Sequence, residues 1–220
     1  MIECQNSPVP APEPTVRIFV LHHLQSALDQ VPLQSELVPI NLSELELGPL
    51  QDNQLGESRA FLRDFSDVTE EYVGFVNARF DQKYFQLHTR LHTLVPTVRR
   101  FAAPGWVLAP WPGDNWIEVT NTYHPSMLPL VGELLALQGL PRAGNRTSVW
   151  ANDFVCHRSV FFDWLRFWRS SFDHFYAKYG LQLPFAGEGT DRNRQTAYFL
   201  ERITAAYFAN RPDVRVVGLE

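Results

Sequence analysis

Hydrophobic residues fall along this chain in short blocks separated by helical stripes. Val16-Arg17-Ile18-Phe19-Val20-Leu21 is a β-branched and aromatic run that suits a central buried strand, and His22-His23 follow at its carboxyl end. Leu37-Val38-Pro39-Ile40 reads as an edge strand, because Pro39 has no N–H to give to a ladder. Residues 64–72 predict a short helix feeding a second strand, Tyr72-Val73-Gly74-Phe75-Val76-Asn77. Leu87, Leu91, Leu94, Val98 and Phe101 then recur at helical spacing, with Pro96 as a kink. Gly105-Trp106-Val107-Leu108-Ala109 is a further buried strand, stopped by Pro110 and Pro112. A helix over 126–138 ends at Gly139, and 147–156 is β-rich. The strongest helix carries Val160, Trp164, Trp168, Phe172, Phe175 and Tyr179 on one stripe, with Asp163, Arg166, Arg169, Ser170 and Asp173 opposite, and stops at Gly180. A last helix over 195–209 precedes a closing strand, Val214-Arg215-Val216-Val217. Strands alternating with helices predict an α/β fold whose mainly parallel sheet is covered on both faces.

Size and charge narrow the class. The 220 residues fit one domain, with residues 1–14, four of them prolines, as a flexible arm and 15–220 as a single α/β domain. A hydrophobic content of 45% is enough for a substantial core. The net charge of −5 speaks against a general nucleic-acid binder. Cys4 and Cys156 lie far apart in unlike contexts, which fits a reducing cytoplasm better than a disulfide scaffold. No apolar run approaches the ~20 residues of a membrane helix. A cytoplasmic protein without a transmembrane segment is expected, with peripheral membrane contact left open.

In open α/β sheets ligands bind outside the carboxyl ends of the strands. Polar residues gather at those ends here: His22-His23; Arg79, Asp81 and Lys83; Trp111, Asp114, Asn115 and Trp116; and Asn152, Asp153 and His157. If the strands are parallel, these groups share one rim. Asp153 lies in an apolar run, where an ionised carboxylate is costly unless paired or used, so it is the leading candidate acid. Glu201 falls at the margin of the last helix's apolar stripe, from where a carboxylate reaches either a cleft or a structural ion pair. Trp111 and Trp116 are candidates for stacking on a sugar. His88 and His92 have the i, i+4 spacing that can bind zinc, yet no third ligand stands near, and a solvated helix face is the simpler reading.

Four stretches in order resemble a bacterial glycosyltransferase-like family of exopolysaccharide, capsule and O-antigen gene clusters. They are Ile18-Phe19-Val20-Leu21-His22-His23; Leu50-Gln51-Asp52-Asn53-Gln54-Leu55-Gly56-Glu57-Ser58; Tyr72-Val73-Gly74-Phe75-Val76-Asn77-Ala78-Arg79-Phe80; and Ala151-Asn152-Asp153-Phe154-Val155-Cys156-His157 with Tyr198-Phe199-Leu200-Glu201-Arg202-Ile203. The resemblance implies a GT-A-like, Rossmann-related fold and sugar transfer from a nucleoside-diphosphate donor to a saccharide-type acceptor. Asn77 stands where that family tends to have His, and Phe80 where it has a second Arg. No Asp-x-Asp occurs in the sequence, so transfer without a metal site and without a cofactor is expected. On this reading Asp153 or Glu201 acts as catalytic base, and His22, Asp52, Asn53, Arg79, Asp81 and Lys83 bind the donor. Trp111, Asn152, His157 and Arg202 serve the acceptor or support the site. The rival expectation is a binding module of the same fold that recognises a saccharide or a protein without chemistry; a zinc hydrolase on His88 and His92 comes last.

Overall fold

The structure is a computed structural model that describes residues 12–29, 31–45, 53–141, 146–181, 183 and 194–219. Most of the N-terminal arm and Asp52 therefore lie outside the described residues. In chain order the elements are β1 (Val16–His22), α1 (Gln25–Leu28), β2 (Leu37–Asn41), a kinked 3-10 segment (Asn53–Leu62), β3 (Tyr72–Asn77), α2 (Phe80–Lys83), α3 (Leu91–Phe101), β4 (Trp106–Ala109) and β5 (Pro112–Gly113). They continue through α4 (Trp116–Tyr123), α5 (Leu128–Leu137), β6 (Ser148–Val149), β7 (Phe154–His157), α6 (Arg158–Tyr179), α7 (Gln195–Ala209) and β8 (Arg215–Gly218). Six strands form one sheet in the order β2-β1-β3-β7-β4-β8, and β5 pairs with β6 in a two-stranded ribbon. The pairings β1–β2, β1–β3 and β4–β8 are parallel, while β7 runs antiparallel to both β3 and β4.

Alternation along the strands divides the core between the two faces of the sheet. Phe19, Leu21, Val73, Phe75, Phe154 and Cys156 face one layer, built by α6, α7 and the 53–62 segment. Ile18, Val20, Val76 and Val155 face the other, covered by Leu91, Leu94, Val95 and Val98 of α3. The α6 stripe is the centre of the first layer. Phe61 meets Trp164 and Trp168 edge-on at centroid distances of 4.9 and 5.1 Å, and lies 4.9 Å from Phe75. Such packing adds a specific edge-to-face attraction to the area term. Phe61→Ala is expected to cost about 3–5 kcal/mol, the range for a wholly buried aromatic. Urea denaturation checks it, and a loss below about 1 kcal/mol would show that the ring is not the keystone of this layer.

Three local expectations fail for identifiable reasons. Residues 64–71 form turns rather than a helix, because Asp64 accepts hydrogen bonds from the Ser66 N–H (2.9 Å) and hydroxyl (2.8 Å) and so closes a turn of its own. The helical residues lie earlier, at Asn53–Leu62. The β-rich stretch over 147–156 is cut into β6 and β7 by Ala151 and Asn152, both at positive φ. Helix α4 also occupies what reads from sequence as loop, and it buries Trp116 completely. Among the described residues no helix is long and apolar enough to cross a membrane.

Candidate functional site

The strand order places a topological switch between β1 and β3. The chain leaving β1 returns to the sheet at β2, on one side, whereas the chain leaving β3 returns at β4, on the other. The space outside the carboxyl ends of β1 and β3 is therefore where ligands bind in folds of this kind. His22 ends β1, and Asn77 ends β3 and leads directly into Ala78 and Arg79. Because β7 is antiparallel, its beginning rather than its end lies at this rim. That orientation brings Asp153 to the site and carries His157 away from it.

Asp153 is the centre of a buried polar network. One of its oxygens accepts from the backbone N–H of Asn77 at 2.8 Å, and the other accepts from Lys83 Nζ at 2.6 Å and from the Tyr84 hydroxyl. The carboxylate is only 1% exposed, against 30% for the Lys83 side chain, so the protein holds it almost wholly by its own donors. Asn77 extends the network: its Nδ2 donates to Glu57 Oε1, and its Oδ1 accepts from the Arg79 N–H at 2.7 Å. Gly56, just before Glu57, adopts φ +54° and ψ −135°, breaking the helical path; a Cβ there would lie 3.2 Å from Ala197 Cβ on α7. The bend seats Glu57 against β3 and lets the segment pack tightly under α7.

Charge is unevenly distributed in this network. Burial works against the Lys83 ammonium, but Asp153 and Glu57 outweigh it and raise its pKa, so Lys83 stays a cation. Burial, then Asp153, raises the Tyr84 phenol, keeping its proton in place to donate. Glu57 is raised by burial and by Asp153, with Lys83 and Asn77 opposing. Glu201, half-buried on α7, is pushed up to about 7 by burial and by the charges of Glu57 and Asp153, against Arg202 and Lys83. A carboxyl that exchanges its proton near neutral pH is suited to general base work.

Beside the acids, the end of β1 is cationic. Burial and the charges of Arg59, His22 and Arg79 all lower the pKa of His23. The opposite flank is aromatic. Arg202 is buried with its guanidinium 4.8 Å from the Trp150 ring centre, and His124 stacks on Tyr198 at 4.7 Å.

His22, Arg79, Lys83, Asp153 and Glu201 thus gather about the switch point, whereas Arg202 lies on the aromatic flank against Trp150. Asn152 stands next to Asp153 in a supporting position, where Thr204 donates to its Oδ1 at 2.7 Å and its own Nδ2 reaches Ser58 Oγ at 3.5 Å. Trp111, 61% exposed, lies beyond the end of β4. Asp81 does not pair with Arg79; it accepts from the Leu91 N–H at 2.7 Å and caps α3. Asn53 begins the 3-10 segment. His157 is a correction. It pairs in register with Tyr72, at the start of β3, and its Nδ1 caps α6 by accepting from the Ser159 N–H at 3.3 Å. Sequence alone gave no sign that β7 runs the other way. Trp116 is a second correction, since a wholly buried ring cannot stack on a sugar. His88 precedes α3 instead of sharing it with His92, so the i, i+4 geometry is not made, and no group of three metal-binding side chains forms among the described residues. Arg59 carries no signal in the sequence, while Glu57 and Tyr84 have only that of the second resembling stretch and of the polar run after the Tyr72–Asn77 strand, with no role assigned to either.

No family model matches the chain, and no curated protein matches its sequence. Among solved structures it is similar to WbbM, a bifunctional glycosyltransferase in its apo form, with a TM-score of 0.57 at 13% identity. The match covers 94% of this chain and 45% of that one, so the chain spans under half the length of that protein. The mixed α/β architecture is that of a glycosyltransferase fold.

Proposed function

We propose that this chain is a glycosyltransferase that moves a sugar from a nucleoside-diphosphate donor to a hydroxyl of a saccharide-type acceptor, without an Asp-x-Asp metal pair. The observation that carries this reading is the buried polar network of Asp153, Asn77, Lys83, Tyr84 and Glu57 at the switch point of a fold similar to that of a glycosyltransferase, with Glu201 raised to about 7 by burial and by the charges of Glu57 and Asp153. Its carboxylate takes the proton of the acceptor hydroxyl as that oxygen bonds to the anomeric carbon. The bond from that carbon to the donor phosphate breaks, and its electron pair leaves on the diphosphate. Arg79 and His22 stabilise the departing charge. Asp153 has both oxygens engaged by donors, so it positions Lys83, Tyr84 and the end of β3 rather than acting as base. Lys83, committed to Asp153, shapes the field at the acids. Asp52 and Asn53 are assigned to the donor pocket, and exposed Trp111 with the Arg202–Trp150 pair to the acceptor side. A cytoplasmic enzyme is part of the same proposal.

Calorimetric titration with UDP-, GDP- and dTDP-sugars tests the reading. One donor class is expected to bind at micromolar to millimolar strength, with slow hydrolysis in the absence of acceptor. No heat and no hydrolysis with any of them would remove it.

A further inference from the structure

Arg59 is 3% exposed, yet its Nε has no hydrogen-bond partner. It forms no ion pair with a carboxylate among the described residues. His22 is 4% exposed, and its Nδ1 is also without a partner. Leaving a buried donor unpaired costs about 1–3 kcal/mol, more when it is charged, and native proteins rarely do so without cause. Here two buried nitrogens without partners, Nδ1 of His22 at the carboxyl end of β1 and Nε of Arg59 on the 53–62 segment, belong to side chains that both act on His23 beside the switch point. Both are explained if the ligand-free protein lacks an acceptor that the working protein has.

The chemistry of the site favours an anion. Arg59, His22 and Arg79 act on His23 with the same sign, and among the described residues no carboxylate pairs with Arg59 or Arg79. The contrast with Lys83 is instructive, since that ammonium is already neutralised by Asp153 at 2.6 Å and has little left to offer a phosphate. Two guanidinium forks, one buried and one exposed, match a group with several oxygens and more than one negative charge. A single carboxylate would leave part of this donor set unused.

We infer that Arg59, together with His22, His23 and Arg79, forms the binding site for the diphosphate of the donor, an assignment that rests on the transferase reading above. Arg59 is the buried anchor of the site. Arg79 closes over it from the exposed loop after β3.

Titration of the full chain with inorganic pyrophosphate, and separately with UDP, GDP and dTDP, tests the assignment. The wild type is expected to bind pyrophosphate one to one. Arg59→Met should weaken that binding by at least about tenfold, and Arg59→Lys should recover part of it. Arg59→Met should also raise the melting temperature of the ligand-free protein, because it removes a buried unpaired donor. Arg79→Gln, at an exposed side chain whose loss leaves the core intact, should weaken binding by about three- to tenfold and decides the matter if Arg59→Met does not fold. Equal affinity for pyrophosphate in wild type, Arg59→Met and Arg79→Gln overturns the site, as does a wild type that binds no pyrophosphate. Pyrophosphate bound through Arg59 with no nucleotide-sugar bound or hydrolysed keeps the site and removes the transferase. Nucleotide-sugar turnover unchanged in Arg59→Met keeps the transferase and removes the site.

Discussion

Replacing Glu201 with Gln is expected to lower transfer by about 10²–10⁴-fold, the usual contribution of a general base, while making the protein more stable at pH 8. The two effects share one cause. The folded protein holds this carboxyl at about 7, against 4.5 for the ordinary side chain. Between those values the folded chain keeps a proton that the unfolded chain has released, so stability from this group is greatest below pH 4.5 and falls as pH rises toward 7. Above pH 7 the carboxylate is charged in a place that disfavours it, at a cost on the order of 1–3 kcal/mol. Gln bears no charge, so Glu201→Gln should match the wild type near pH 4.5 and exceed it at pH 8. Denaturant titrations at both pH values measure the difference. Wild-type turnover should climb through pH 7 and level off, and the residual rate of the variant should lack that step. Unchanged turnover, or a variant less stable than wild type at pH 8, would show that Glu201 is a structural acid. A protein that only binds saccharides would have no turnover to lose.

Gly74→Ala should abolish the fold. Gly74 sits on β3 opposite Val155 of β7. A Cβ there would overlap the carbonyl oxygen of Phe154 and lie 2.6 Å from Val155 Cα. These are backbone atoms of the neighbouring strand, which cannot rotate aside. Separating β3 from β7 would also withdraw Asp153 from the Asn77 N–H. A loss of more than about 4 kcal/mol is expected, a large part of the stability of an ordinary domain, so the variant should be mostly insoluble. Gly132→Ala on α5 is the control. Nothing lies within 4 Å of its added methyl, and a helix interior favours Ala over Gly by about 0.5–1 kcal/mol. Soluble yield and urea midpoints of the two variants check the pair. A Gly74→Ala protein within about 1 kcal/mol of wild type would mean that the strands meet differently.

Legibility in the sequence followed how local the cause was. The α6 stripe, the β3 run and the 195–209 helix are written in side-chain period and end signals, and they appear where the pattern puts them. The turn at Asp64 is local too, but it depends on a side chain competing with the backbone, which hydrophobic period does not register. Trp116 illustrates a different failure. Beside prolines and a glycine it looks like loop, and only the packing of α4 removes it from solvent.

The site divides along the same line. That histidine, arginine, aspartate and glutamate stand at strand ends and on a helix margin is a property of the sequence alone, because strand and helix limits are set within a few residues of each position. Which of them meet is not. The reversed direction of β7 brings Asp153 to Asn77 and takes His157 to the far edge, and pairing direction is fixed by contacts between residues some eighty positions apart. The protonation behaviour of Glu201 is likewise tertiary, for it comes from burial and from Glu57 and Asp153, charges carried in by other elements.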